Sequence, residues 1–195
     1  MHLIILVDIS GSMDGAKIGA VNDCMSNLII SLQELAFNGS DLFLSILSFA
    51  RNTEWMHDKP LSILDFDWKE LQANGMTSLG AACLALADWL NKYKDQKDNT
   101  VILLTDGCPT DDYDEGITNL EHCPQFINAK RYGIAIGTDA DIPSIQRFVG
   151  NTENIHSVLT MDSLIEKLTS TIQECIEPQN KNEVFSNKDT DDEWD

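Results

Sequence analysis

The stretch that decides the fold is Leu3–Gly15, LIILVDISGSMDG, in a chain of 195 residues. It opens with five apolar residues in a row, a run typical of a strand that is covered on both faces. The run stops at Asp8, and hydroxyl side chains follow at alternate positions, Ser10 and Ser12. Alternate residues of an extended segment project to one side, and Gly11 lets the backbone turn between the serines. The stretch therefore predicts a buried strand whose carboxyl end brings three oxygen-bearing side chains to one point.

The sequence that follows alternates between strand-like and helix-like segments. A continuous apolar run such as Thr100–Thr105 predicts a buried strand, and the helical spacing of apolar residues in Lys17–Leu35 predicts a helix with one wet face. The short segment Thr53–Met56 follows a tight turn and predicts an edge strand. Strands that alternate with helices indicate an α/β fold, with a mainly parallel sheet between layers of helices. The other predicted strands are 42–49, 132–137 and 155–159, and the other predicted helices are 79–90, 142–149, 161–175 and a short one from about Asp114, limited by Pro124.

The charge of the chain excludes some classes of partner. The 13 Lys and Arg residues against 32 Asp and Glu residues give a net charge of −19, which repels nucleic acid and anionic membrane surfaces. No segment is typical of a signal peptide or of a membrane span of roughly 20 apolar residues. The five cysteines are scattered and form no C-x-x-C pair, a usage typical of a reducing compartment. We therefore expect a cytoplasmic protein that binds neither nucleic acid nor membrane. The oligomeric state is open, and a monomer is the default expectation.

The composition changes after residue 176. Residues 177–195, EPQNKNEVFSNKDTDDEWD, are polar, acidic and aperiodic, which predicts a flexible acidic tail after a single domain over residues 1–176. The carboxylates near its end, from Asp191 to Asp195, are suited to a metal, so one hypothesis is that the tail supplies an internal ligand to the domain. A solvated tail is the interpretation that we favour.

Two further loops place oxygen-bearing side chains beside the ends of predicted strands and helices. The tripeptide TDG, residues 105–107, closes the strand that begins at residue 100, and NGMTSLG, residues 74–80, offers Thr77 and Ser78 ahead of a helix. In an open α/β sheet, ligands bind beyond the carboxyl ends of the strands. Each loop alone is typical of an ordinary turn or helix cap, but their conjunction favours a shared site. Hydroxyls and carboxylates, without histidine or thiolate, suit Mg²⁺, and Mn²⁺ or Ca²⁺ as well.

The order of these motifs resembles a known family. D-x-S-x-S at residues 8–12, then a loop threonine, then a strand-end T-D-G resembles the von Willebrand factor A domain with its metal-ion-dependent adhesion site, over nearly the whole chain to about Cys175. The resemblance implies a doubly wound, mostly parallel, Rossmann-like sheet flanked by helices, with one antiparallel edge strand.

The resemblance also implies a role for single residues. The hydroxyls of Ser10, Ser12 and Thr77 would bind the metal directly, with Ser78 as the alternative to Thr77. Asp8 and Asp106 would hold the water ligands of the metal.

Within the family, LLTDGCPTDDYDE and IAIGTDADI are similar to the bacterial tellurite-resistance (TerY-like) proteins, which are single-domain cytosolic members. This similarity implies a stress-response or tellurium-resistance system that includes a kinase and a phosphatase, either of which is a candidate partner.

Five acidic residues are expected around the site, as a solvated rim rather than as a second cation site or a patch for a basic partner: Asp14, Asp111, Asp112, Asp114 and Glu115.

The chemistry of the predicted site favours binding over catalysis. A site of neutral hydroxyls, whose carboxylates do not touch the metal, neutralises a divalent cation only in part. Mg²⁺ also keeps several waters, one of which a carboxylate can replace. We therefore expect a non-catalytic protein-binding module whose partner supplies an Asp or Glu to a shared cation.

The alternative is a metal-dependent phosphatase or phosphotransferase of the haloacid-dehalogenase type, which would use Asp8. That class needs a second aspartate where Ser10 stands, and a lysine near the phosphate. No lysine lies in the three loops except Lys17, which opens a predicted helix, and the four histidines fall outside the loops. These features make catalysis the weaker hypothesis.

Overall fold

The computed structural model describes residues 1–37, 39, 41–96 and 98–176. The predicted tail, 177–195, lies outside the described residues, and so does the hypothesis that it supplies an internal ligand. The strands of the described part are β1 (His2–Asp8), β2 (Phe43–Phe49), β3 (Thr53–Trp55), β4 (Leu61–Ser62), β5 (Asn99–Thr105), β6 (Lys130–Ile136) and β7 (Ile155–Val158).

These strands form one sheet in the order β3-β2-β1-β5-β6-β7, and β4 also pairs with β2. Strands β1, β2, β5, β6 and β7 are parallel to one another, whereas β3 and β4 run antiparallel to β2. The predicted α/β class, with a mostly parallel sheet and an antiparallel edge strand, is therefore confirmed. The two-residue strand β4 was not predicted, because Leu61 and Ser62 carry no alternating pattern that marks a strand.

Strand β1 lies at the centre of the sheet, and all seven of its residues are buried. Alternate residues face opposite layers, as the pleat of a strand requires. Leu3, Ile5 and Val7 pack in one cluster, with α1 (Ala16–Phe37) and α6 (Met161–Ile176). Ile4 and Leu6 pack in a second cluster, with the helices of the other face, which are α2 (Leu79–Lys92), α3 (Tyr113–Glu121), α4 (Pro124–Ile127) and α5 (Ile142–Val149). The sheet is thus covered by helices on both faces.

Pro124 follows α3, which ends at Glu121, as expected of a proline that limits that helix. It also stands in the first turn of the separate short helix α4, which the sequence did not predict. Proline is favoured there, because its fixed φ suits the helix and the first turn does not need its missing N–H.

Helices α2 and α3 approach closely through two glycines. A β-carbon on Gly116 would lie 2.3 Å from the carbonyl oxygen of Gly80, and a β-carbon on Gly80 would lie 2.4 Å from the carbonyl oxygen of Asp112. Only a residue without a side chain fits at either position. This contact fixes the loop 106–112, which follows β5, against the start of α2.

The chain leaves β1 toward β2 on one side, and β5 lies on the other side of β1. The carboxyl ends of β1 and β5 therefore flank the point where the strand order reverses, which is where open α/β sheets bind ligands. Among the helices of the described part, none is both long enough and apolar enough to cross a membrane.

Candidate metal-binding site

Asp8 is the last residue of β1, and it is fully buried at the carboxyl edge of the sheet. Its Oδ1 accepts a hydrogen bond of 2.8 Å from the backbone N–H of Ser10, and its Oδ2 accepts one of 2.6 Å from the hydroxyl of Thr105. Burial raises the pKa of Asp8, the hydrogen bonds from Thr105 and Ser10 oppose this rise, and the charge of Asp106 adds to it. The carboxylate is therefore held in a fixed orientation in a place that favours a nearby positive charge.

Two serine hydroxyls connect the loop after β1 to the loop after β5 through hydrogen bonds. The hydroxyls of Ser10 and Ser12 lie 3.0 Å apart, and the Ser12 hydroxyl donates a hydrogen bond of 2.7 Å to Oδ1 of Asp106. Ser10 and Asp106 are buried, whereas Ser12 is exposed at the rim. The structure therefore brings together four of the five residues that the sequence nominated, in one continuous hydrogen-bonded series that runs from Asp8 to Asp106.

Thr77, the fifth nominated residue, is buried beside this series. A β-carbon on Gly107 would lie 3.0 Å from the Thr77 hydroxyl and 3.7 Å from Oδ2 of Asp8, so this hydroxyl and this carboxylate face the same small space. The alternative, Ser78, precedes α2, its side chain makes no capping hydrogen bond, and its backbone N–H donates to the carbonyl of Ala50. The geometry favours Thr77.

Backbone hydrogen bonds hold the three loops together. The N–H of Gly11 donates to the carbonyl of Gly75 at 2.9 Å, and the N–H of Asn74 donates to the carbonyl of Ile9 at 2.7 Å. The carbonyl of Thr77 accepts from both the N–H and the hydroxyl of Thr110, at 2.8 and 3.0 Å. These bonds fix the positions of the three loops relative to one another.

Lys17 also reaches the site, which the sequence did not predict. Its Nζ donates to Oδ2 of Asp106, and the two side chains are 29% and 1% exposed. The sequence predicted that Lys17 opens a helix, and it is indeed the second residue of α1. The available signal was its distance along the chain: only the loop 9–15, which includes a short 3₁₀ turn at Gly11–Met13, separates the end of β1 from the start of α1. The first turn of this helix therefore lies near the carboxyl end of β1.

Three of the acidic residues expected as a solvated rim also have structural roles. The carboxylate of Asp111 accepts hydrogen bonds of 3.0 and 2.8 Å from the N–H groups of Gly80 and Ala81 at the start of α2. The side chain of Asp112 caps α3, and Asp114 pairs with Arg147. Asp112 and Asp114 are exposed, as a solvated rim requires, and Asp111 is half-buried. Each of the three also stabilises a helix or joins two of them.

The donor set fits a hard divalent cation. Within residues 1–176, apart from the three undescribed positions, no group of three or more His, Cys, Asp or Glu side chains is placed to hold a metal ion. Any cation here would depend on hydroxyl oxygens together with two carboxylates, a set that suits Mg²⁺, Mn²⁺ or Ca²⁺ better than soft metals. The ammonium of Lys17 on Asp106 shows that a positive charge is already favoured at this point.

A family model described as the von Willebrand factor type A domain matches residues 2–173 of the chain. No curated protein matches the sequence significantly. Among solved structures, a von Willebrand factor type A protein from Catenulispora acidiphila is similar with a TM-score of 0.70 and 17% identity, over 90% of this chain and 42% of that one.

Two other solved structures show the same similarity of fold. The ArnB paralog VWA2 from Sulfolobus acidocaldarius matches with a TM-score of 0.63 and 22% identity, over 87% of this chain and 44% of that one. Proximal thread matrix protein 1 from the mussel byssus, solved with a zinc-occupied MIDAS motif, matches with a TM-score of 0.63 and 15% identity, over 89% and 45% of the two chains. The chain spans less than half the length of these three proteins.

Proposed function

The chain belongs to the von Willebrand factor type A domain family, a family of protein-interaction modules, and we propose that it captures a protein partner through a divalent cation held at the carboxyl edge of its sheet. The observation that carries the proposal is the hydrogen-bonded series from Asp8 through Ser10 and Ser12 to Asp106, which crosses the point where the strand order reverses. Thr77 faces the same space.

In this proposal the site is a metal-ion-dependent adhesion site. The hydroxyls of Ser10, Ser12 and Thr77 bind the cation, and the carboxylates of Asp8 and Asp106 hold its water ligands. Mg²⁺ is the proposed ion, and Mn²⁺ or Ca²⁺ would also suit these oxygens. The zinc-occupied MIDAS motif of the mussel byssus protein is a precedent for a divalent ion in this fold.

The cation would keep much of its positive charge, because its three hydroxyl ligands are neutral and the carboxylates of Asp8 and Asp106 reach it only through water. A carboxylate of the partner, from Asp or Glu, would complete its coordination in place of a water. The exposed Ser12 marks the solvent side of the site, from which such a group would enter.

We also propose that the chain is not an enzyme. The haloacid-dehalogenase alternative needs Asp8 as an attacking carboxylate, but Asp8 is fully buried and both of its oxygens accept hydrogen bonds. The lysine that this alternative requires does reach the site, as Lys17, but its ammonium pairs with Asp106. Binding is therefore the function that the geometry supports better.

The biological setting is a further part of the proposal. The resemblance of LLTDGCPTDDYDE and IAIGTDADI to tellurite-resistance (TerY-like) proteins supports a bacterial stress or tellurium-resistance system. A kinase or a phosphatase of the same gene cluster would then be the partner, and the chain would act as a cytoplasmic monomer. Neither nucleic acid nor membrane is proposed as a partner, because the net charge of −19 repels both.

Affinity capture on the immobilised chain tests this function. We expect a partner to be retained in Mg²⁺ and released by a chelator, and to be lost from Ser10→Ala but kept by Ser31→Ala, a matched control on the exposed face of α1. Replacing the partner's acidic residue should also release it. Equal retention in Mg²⁺ and chelator, or by Ser10→Ala and Ser31→Ala, would show that the cation is not shared.

A further inference from the structure

Lys17 occupies an unfavourable position for a cation. It is the second residue of α1, and this helix has no acidic residue in its first turn. The positive end of the helix dipole lies there and disfavours an ammonium. A residue that breaks a local preference in this way is expected to have a compensating role elsewhere, and the compensation here is the ion pair between Lys17 and Asp106.

The ion pair with Lys17 offsets the unfavourable burial of two neighbouring carboxylates in the site. The carboxylates of Asp8 and Asp106 are both almost inaccessible to solvent, and the charge of Asp106 helps to raise the pKa of Asp8. Two buried carboxylates without a positive neighbour are costly, because neither regains the hydration that it loses on folding. Lys17 supplies one positive charge from within the chain, where a divalent cation would supply two.

The surroundings of Lys17 accommodate its side chain at Asp106 and leave that side chain 29% exposed to solvent. Its Cε and Nζ would both lie 3.3 Å from a β-carbon on Gly137, whose φ of +92° itself favours glycine. Lys17 also lines a groove of about 340 Å³ between α1 and α6, together with apolar side chains such as Ala20, Val158 and Leu164. The aliphatic part of Lys17 can therefore rest on an apolar surface while the ammonium moves toward solvent.

We propose that Lys17 is a built-in competitor of the divalent cation: its ammonium neutralises Asp106 in the metal-free chain, and it leaves Asp106 when the site holds a metal. This inference rests on the proposed function, because it concerns the same site. It predicts that Lys17 stabilises the metal-free fold and weakens metal binding. The affinity of the site for its cation is then set by an exchange of one positive charge for another, and not by the oxygen ligands alone.

The test compares variants that change the charge at position 17. Lys17→Met keeps the length and the apolar stem of the side chain, Lys17→Gln is a second neutral variant, and Lys17→Arg keeps the charge. Lys130→Met makes the same change in net charge at an exposed residue, the first of β6. It lies at the amino ends of the parallel strands, whereas the candidate site lies at their carboxyl ends. Each metal-stripped protein is titrated with Mg²⁺ and with Mn²⁺ by calorimetry at fixed ionic strength, and its melting temperature is measured with and without metal.

We expect Lys17→Met and Lys17→Gln to bind Mg²⁺ at least about tenfold more tightly than the wild type, because no ammonium has to be displaced. Lys17→Arg and Lys130→Met should stay within a few-fold of the wild type. In the absence of metal, the two neutral variants should melt below Lys130→Met, and metal should raise their melting temperature by more. If Lys17→Met does not fold, Lys17→Gln decides.

The possible outcomes separate this inference from the proposed function. If the wild type binds metal and the neutral variants bind it equally or more weakly, Lys17 is not a competitor, and the metal site itself stands. If only the neutral variants bind metal, the competition is supported and the wild type is not a metal-dependent binder under these conditions. If no variant binds metal, both the inference and the proposed function are overturned.

Discussion

Ser12 donates a hydrogen bond of 2.7 Å to Asp106, a residue 94 positions away in the sequence. This single contact joins the loop after β1 to the loop after β5, the two strands whose carboxyl ends flank the reversal in strand order. The pairing requires the parallel register of β1 and β5, in which Val7 lies opposite Leu104. The geometry of the candidate site therefore depends on this register, because a different alignment of β1 and β5 would separate the Ser12 hydroxyl from the Asp106 carboxylate.

Asp8→Asn is expected to lower the affinity for Mg²⁺ without lowering the stability of the metal-free fold. The change removes one of two buried carboxylates and the repulsion between them, and an amide oxygen can still accept from Ser10. Without metal, the variant should melt at or above the temperature of the wild type, and its Mg²⁺ affinity should fall by about 10–100-fold. Melting curves and calorimetric titrations check both expectations. An unchanged affinity would remove Asp8 from the proposed site.

Gly107→Ala is expected to weaken metal binding through Thr77. The new β-carbon would lie 3.0 Å from the Thr77 hydroxyl, so the threonine has to shift by a few tenths of an ångström away from position 107. The affinity for Mg²⁺ should fall several-fold while the circular dichroism spectrum stays unchanged. Gly19→Ala is the control, because nothing lies within 4 Å of its β-carbon in α1. The control should gain up to about 1 kcal/mol of stability from its better helix propensity and keep the wild-type affinity; equal affinities in the two variants would exclude Thr77 as a ligand.

Gly116→Ala is expected to destabilise the fold at the contact between α2 and α3. Its β-carbon would lie 2.3 Å from the carbonyl oxygen of Gly80, which is backbone and cannot rotate away. The helices have to separate, at a cost of about 1–3 kcal/mol. Chemical denaturation measures this loss against Gly19→Ala. A free energy of unfolding equal to that of the wild type would mean that the two helices are not in the close contact described above.

The pH dependence of stability should carry a contribution from His2. This histidine is 1% exposed; its Nδ1 lies 3.1 Å from the Asn99 side-chain oxygen, and its Nε2 lies 2.8 Å from the Ser45 hydroxyl. Because that oxygen of Asn99 can only accept, the neutral ring carries its proton on Nδ1 and accepts from Ser45. Burial lowers the pKa of His2 from 6.5 to about 4, against the opposing hydrogen bond with Asn99.

The sign of this contribution follows from proton uptake. Between pH 6.5 and pH 4 the unfolded chain holds a proton on His2 that the folded chain does not, so the free energy of unfolding falls as the pH is lowered. The total loss is of the order of 3 kcal/mol. Denaturation of wild type and His2→Gln across this range measures it. The two curves should converge toward low pH; parallel curves would show that His2 does not titrate in this way.

The sequence predicted the fold well because its strongest signals are local. The apolar runs of β1 and β5 and the helical spacing of α1 each follow from a few consecutive residues. The five nominated site residues could be found for the same reason, since each follows a strand or precedes a helix. Their metal-binding roles stay predictions.

What the sequence did not predict depends on contacts between distant segments. The reach of Lys17 to Asp106 depends on how α1 is placed over the sheet, and the role of Asp111 depends on where the loop after β5 meets α2. No periodic pattern indicates either contact, and the short distance along the chain from β1 to Lys17 indicates only that this lysine lies near the end of the strand. Both follow only when the register of β1 and β5 is known.

The most direct test of a cation at this site is a calorimetric titration of Mg²⁺ into the metal-stripped chain, with Ser10→Ala and Ser31→Ala alongside. Ser10 is buried within the hydrogen-bonded series, whereas Ser31 is exposed on α1. We predict saturable binding of about one ion per chain by the wild type and by Ser31→Ala, and its loss in Ser10→Ala. Binding of equal strength by all three proteins, or by none of them with Mg²⁺, Mn²⁺ and Ca²⁺ in turn, would contradict the central claim.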